Sequence, residues 1–199
     1  MVRFELASPN LHLAHSGRFF LTRETGAIAH DLMAVRLREI AEGEPLVVLL
    51  PPDQILDASF ADESVVRLGE ELANSDFGDR CILLEGLTED SITNIEAVIR
   101  LGGHKVAFLV VSSDGGWQVI GQLEKNLRET LELVFKSGRL TAPELADMLK
   151  LAINSASNRL KRLWVQRLVR RDYEISESGL QYIYYCWTWV ADQGADIAE

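Results

Sequence analysis

Cysteine is nearly absent. Cys81 and Cys186 are the only two among 199 residues, and they lie far apart with no CxxC spacing, which excludes a disulfide framework and a zinc ribbon. Long hydrophobic runs are missing as well. The longest, at 46–50 and 106–111, fall far short of the roughly 20 residues that a membrane helix needs. The opening MVRFELASPN holds no apolar signal-peptide core, so a cytoplasmic protein in a reducing compartment, with no membrane partner, is expected. Phosphate-cradling GxxxxGK, dinucleotide-binding GxGxxG and nucleophile-elbow GxSxG patterns do not occur. No catalytic set assembles, and the expectation is a protein that is not an enzyme and carries no cofactor.

What is present is an ordinary globular balance, 47% hydrophobic and 25% charged, which excludes a disordered or fibrous chain. The length allows one large domain or two small ones. The net charge of −10 is unevenly spread: residues 1–125 hold 10 Lys and Arg against 20 Asp and Glu, and residues 126–199 hold 10 against 10. Between 150 and 171 seven basic residues (Lys150, Arg159, Lys161, Arg162, Arg167, Arg170, Arg171) occur with no acidic one. An acidic body repels nucleic acid, whereas a basic stripe on a neutral module attracts it. The asymmetry points to two domains.

Apolar runs at 19–21, 46–50, 81–84 and 106–111 predict buried strands. Segments of helical period separate them. Residues 24–41 set Ile28, Leu32, Val35, Leu37 and Ile40 along one face; 59–73 turn Val65, Val66, Leu68, Gly69 and Leu72 inward; 92–101 do so with Ile92, Ile95, Val98 and Ile99. This alternation predicts an α/β layer with a mainly parallel sheet. Residues 4–6 and 11–13, split by Ser8-Pro9-Asn10, predict a hairpin on its edge. The cluster Ser112-Ser113-Asp114-Gly115-Gly116 predicts a turn into a short strand at 117–120. Alternation then stops, and the boundary is set near 121, giving an α/β domain at 1–121 and a second domain at 122–199.

In the second part Leu127, Leu131, Val134 and Phe135 form a helical stripe ending at Ser137-Gly138. Thr141-Ala142-Pro143-Glu144 is a capping box with proline in the first turn. That helix must stop near 151, and another begins around Asn154, expected as its N-cap. At 100° per residue Ala156, Leu160 and Leu163 share one face, while Asn154, Asn158, Lys161, Arg162 and, at the flank, Ser155 point away. Residues 168–175 and 180–186 predict a hairpin through Ser176-Glu177-Ser178-Gly179, with Glu174 and Glu177 near its tip.

Helix, helix, amphipathic basic helix and hairpin follow one another here. The stretch from Leu145-Ala146 through Ser155-Ala156-Ser157-Asn158-Arg159-Leu160-Lys161-Arg162-Leu163 to Leu168-Val169-Arg170-Arg171 resembles MarR-like and related winged helix-turn-helix regulators over residues 125–187. Asp57-Ala58-Ser59-Phe60-Ala61-Asp62-Glu63 after the 46–50 strand, with Arg23-Glu24 opening the first helix, resembles the STAS-like family related to bacterial anti-sigma-factor antagonists over residues 18–111. Antagonists of that type carry a regulatory phosphoserine in an Asp-Ser-[Ser/Thr]-Gly loop. Here alanine follows the aspartate and the glycine is lost.

The second resemblance makes Asp57, Ser59, Asp62 and Glu63 a candidate partner or regulatory loop. Ser59, with Asp62 three residues on, is read first as a helix cap. Carboxylates at a helix N-terminus are stabilised by the dipole without a metal, and the HxxH of His12 and His15 lacks a third ligand at useful spacing, so no metal is expected. The first resemblance, with the residue types themselves, makes Asn154, Ser155, Ser157, Asn158, Arg159, Lys161, Arg162, Arg170 and Arg171 candidates for DNA contact. Asparagine bonds adenine bidentately, arginine bonds guanine, and cations grip phosphates. The ring-rich stretch with Trp164, Tyr182, Tyr184, Tyr185, Trp187 and Trp189 is read as packing or a dimer contact. The leading expectation is a homodimeric transcription regulator that binds double-stranded DNA through its winged helix and senses a regulatory protein or signal through its STAS-like domain. The alternative is a partner-switching module whose winged helix serves docking or dimerisation.

Overall fold

The fold was analysed on a computed structural model, which describes residues 2–6, 19–51, 53–176 and 179–187. Five strands make the central sheet: β1 (Val2–Glu5), β3 (Pro45–Leu49), β5 (Cys81–Glu85), β6 (Ala107–Val111) and β7 (Trp117–Gly121), in that spatial order. The first four run parallel, in registers such as Val2↔Leu46, Pro45↔Cys81 and Leu83↔Leu109, and β7 closes the edge antiparallel through Leu109↔Val119. A separate parallel pair joins β2 (Phe19–Phe20) to β4 (Ile55–Leu56). The edge hairpin expected from 4–6 and 11–13 is therefore corrected on its described side. Residues 2–5 form a parallel edge strand, bonded to β3 across a crossover, and residues 11–13 lie outside the described residues.

Successive strand residues face opposite sides, and both sides here are buried. Leu46 and Val48, Ile82 and Leu84, Phe108 and Val110, and Ile120 go to one core. Val47, Cys81 and Leu83, Ala107, Leu109 and Val111, and Val119 go to another. A parallel sheet covered on both faces reads as uninterrupted apolar runs, as these strands do.

The first face is covered by the helices of the α/β half: α1 (Arg23–Glu39), a continuous helix made of α2 (Ala58–Ala61), a π-helical turn at Asp62–Val66 and α3 (Arg67–Ala73), and α4 (Glu89–Gly102). Val65, Val66, Leu68, Gly69 and Leu72 are buried, as their spacing predicts. Gly69 allows close approach, since a Cβ there would lie 2.5 Å from the Phe108 ring. The predicted face of α1 is corrected. Ile28 and Val35 are exposed, and Gly26, Ala29, His30, Met33, Ala34 and Leu37 face the core. Small residues let this helix sit against the turn of its neighbour, and a ranking by hydrophobicity passes over them.

The second face is covered by the C-terminal elements: α5 (Lys125–Ser137), β8 (Arg139–Thr141), α6 (Ala142–Leu149), α7 (Ile153–Val165), β9 (Arg170–Ser176) and β10 (Gly179–Tyr185). Their apolar residues, among them Leu127, Leu131, Leu145, Leu160, Val169 and Trp187, form one continuous core with the sheet. Trp117 of β7 stacks on Phe135 of α5 at 4.2 Å between ring centroids. β10 lies between β9 and β8 in a three-stranded antiparallel sheet. The molecule is thus mixed α/β, with a mainly parallel central sheet. Among the described residues no helix is long and apolar enough to cross a membrane.

Candidate functional site

The surface of α7 is set up by the turn before it. Thr141 caps α6 in a complete capping box, its backbone N–H and hydroxyl donating to Glu144 at 2.7 Å. α6 ends at Lys150 in the left-handed region (φ 54°), and the Leu151 N–H returns to the Ala146 carbonyl. The next helix begins at Ile153, two residues earlier than an Asn154 cap implies. Ala152 occupies its N-cap and no side chain caps it. Asn154 is corrected accordingly: it lies within the first turn and is exposed. Its amide is left to face solvent instead of closing the helix end.

Ala156, Leu160 and Leu163 are buried, which turns Asn154, Ser155, Asn158, Lys161 and Arg162 outward; Ser157 and Arg159 are half-buried. The outward residues differ in availability. Asn154, Ser155, Asn158 and Lys161 have no side-chain partner among the described residues, whereas both arginines are engaged by α5 and its N-cap, Glu124. Arg162 donates from both terminal nitrogens to Glu124, at 2.9 Å to Oε2. Arg159 reaches the Glu129 carboxylate at 3.3 Å and the Asn126 carbonyl at 3.4 Å. Hydrogen bonding within the first pair lowers the Glu124 carboxyl and raises the Arg162 guanidinium from their ordinary values. Such exposed pairs exchange readily with solvent and other anions.

At the base of the hairpin the cations lie on aromatic faces. Arg171 sits 3.4 Å from the Trp164 ring centroid and 4.4 Å from that of Tyr182, and Arg170 sits 5.1 Å from that of Tyr185. Rings therefore position these guanidiniums from below. Of the aromatic stretch, Tyr184 and Trp187 are buried in the shared core, and Trp189 lies outside the described residues.

Arg167, counted with the basic stripe in the sequence, has another place. It is 6% exposed and joins the two halves: Nε donates to the Leu72 carbonyl at 3.0 Å, Nη1 to Asp79 at 3.1 Å and Nη2 to Ser75 Oγ at 3.0 Å. Its own carbonyl accepts from the Trp187 indole at 3.0 Å. Burial lowers its pKa and Asp79 opposes that. The only sequence signal for this role is its position between the amphipathic helix and the hairpin.

The 57–63 segment is internally satisfied. Asp57, not Ser59, caps the helix: Asp57 Oδ1 accepts the Phe60 N–H at 2.7 Å, while Ser59 lies half-buried inside the first turn. Asp62 and Glu63 both bind Arg23, at 2.8 and 2.6 Å, and His104 bridges Asp62 at 3.6 Å and Glu70 at 2.7 Å. The hydrogen bonds to Glu63 and Asp62 raise the Arg23 pKa. The π turn carries a buried Ser64 whose hydroxyl donates to the Phe60 carbonyl at 2.6 Å. α1 passes over the turn at Gly26, where a Cβ would lie 2.8 Å from that carbonyl. Among the described residues no group of three or more His, Cys, Asp or Glu is arranged to hold a metal. His12 and His15 lie outside them. Neither the models of known protein families nor the curated protein sequences give a match to this chain.

Proposed function

We propose that the protein is a DNA-binding transcription regulator in which residues 125–187 form a winged helix-turn-helix of MarR-like type. In this reading α7 enters the major groove, β9 and β10 form the wing, and the STAS-like α/β half responds to a regulatory protein or other signal. Element order supports it: α5, β8, α6 and α7 are followed by a hairpin whose second strand returns to pair with β8. One observation carries it above all. Asn154, Ser155, Asn158 and Lys161 share the exposed face of a helix anchored by buried Ala156, Leu160 and Leu163, and are unpartnered among the described residues. Short amides and a cation on such a face match base edges and phosphates. This reading implies a cytoplasmic, non-enzymatic protein. As a dimer it would prefer half-sites about one helical turn apart.

The partner-switching reading has its own observation: Glu124 and Glu129 already neutralise Arg162 and Arg159, so the face is less cationic than its sequence. Titration of a labelled duplex from the region upstream of the protein's own gene, beside a random duplex and across salt, separates the two. Preference for the upstream duplex, with a salt slope of several units, is expected. Failure of the whole protein to bind either duplex at low ionic strength would hand the face to a protein partner.

A further inference from the structure

Between α7 and the α/β half runs an open groove of ≈ 530 Å³, bordered by Asn158, Lys161 and Arg162 on one side and by Lys105 on the other, with Gln166 along it. It continues past Lys105 and Gln166 towards Glu124. Lys105 stands between α4 and β6. Its chain neighbours are anchored on both sides: His104 is tied to Glu70, and Val106 is buried in the core. Among the described residues no acidic one lines the first section. In the continuation the one carboxylate among the described residues belongs to Glu124, already bound to Arg162. Lys105 and Lys161 are both exposed and unpaired among the described residues. Two free ammonium groups from different halves thus face one channel that begins at Asn158, on the face of α7.

We infer that this groove seats the sugar-phosphate backbone of duplex DNA, so that the α/β half contributes Lys105 to the same interface as α7. The inference rests on the proposed DNA-binding function. A helix in the major groove has a phosphate strand along each flank, and contacts there set register without reading sequence. The channel has the charge to receive such a strand, and it is continuous with the face that would meet the bases. Arg162 lies on its rim, where an arriving phosphate competes with Glu124 for the guanidinium. The acidic half is then a contributor to positioning, not only a repulsive body.

The test is titration of the full chain with a labelled duplex across salt, comparing Lys105→Ala, Lys105→Gln, Lys161→Ala and the double alanine variant with Lys136→Ala, a control at the far end of α5. Each groove variant should weaken binding to specific and random duplexes alike and reduce the salt slope by about 0.9, the double variant by about twice that. Thermal melts of the variants should superimpose on the parent, since both lysines are exposed. If the parent binds DNA but the Lys105 variants match Lys136→Ala, the inference is overturned while the DNA reading stands. If the parent binds no duplex at low ionic strength, both fall. Stabilisation by inorganic phosphate that disappears in Lys105→Ala, with an unchanged DNA salt slope, would make the groove a small-anion site and overturn the inference as well.

Discussion

Two charged regions of this molecule, the 57–63 segment and the outer face of α7, are polar for opposite reasons. In the first, each carboxylate is used locally: Asp57 on a helix N–H, Asp62 and Glu63 on Arg23, and Asp62 again near His104. In the second, four of the outward residues are exposed and unpartnered among the described residues, and the arginines are held by exposed, exchangeable carboxylates. Charge density alone does not distinguish a binding face from a self-satisfied network. The distribution of partners does. Substitutions in the first region should therefore read out as stability and those in the second as binding.

The largest effect is expected at the joint between the two regions. Arg167→Met leaves the buried Leu72 carbonyl without its donor, while exposed Ser75 and half-exposed Asp79 regain water. A loss of about 2–3 kcal/mol is expected from the denaturant midpoint. Arg167→Lys, which keeps the charge but cannot span three acceptors, should recover only part of it. A neutral Arg167→Met would mean that the halves are held together by apolar contact alone.

Next comes the exposed face. Asn158→Ala should leave the melting temperature unchanged and cost about 1–3 kcal/mol of preference at a single base position, read from binding to a set of single-substituted duplexes. A uniform loss over all sequences would reassign Asn158 to the backbone.

Capping supplies a smaller effect and a sharper contrast. Asp57→Ala should lower stability by about 1 kcal/mol through loss of the Phe60 N–H acceptor, whereas Ser59→Ala should stay within about 0.5 kcal/mol. Neither should alter DNA affinity. The reverse order in thermal melts would restore Ser59 as the cap.

These contrasts also mark what the residues reveal before any fold is known. Leu46, Val47, Val48 and Leu83 announce strands but not partners, because a strand buried on both faces has no alternation to show which side is covered by what. The covering of the second face by residues 125–187 was for that reason invisible, although the boundary of the alternation at Gly121 and the capping box at Thr141 were legible. β8 escaped because three residues carry no periodicity, and Thr141 was visible only as a cap. The outward set of α7 followed from Ala156, Leu160 and Leu163 by geometry alone. Its electrostatic state did not, since Glu124 and Glu129 come from α5 and the residue that caps it. Asp57 and Ser59 are both good caps two residues apart, and only the backbone angles decide between them.

The smallest expected effect concerns acid. Glu144 accepts from the Thr141 hydroxyl and the Thr141 N–H, which hold its carboxyl below the ordinary value. A depressed folded-state value means that the ionised form is favoured by folding. Its contribution is fully present above the unfolded value of about 4.3 and is lost as pH falls through the lower, folded value. The box opens α6, which leads through Lys150 into α7, so loosening it should be felt at the base of α7. Melts of the parent and Glu144→Gln should differ by a few tenths of a kcal/mol near neutral pH and converge below about pH 4. Glutamine keeps the acceptor for the N–H but not the charge, and thereby isolates the electrostatic part. A constant difference at every pH would assign the effect to hydrogen-bond geometry and leave the ionised carboxylate without a part in holding this helix.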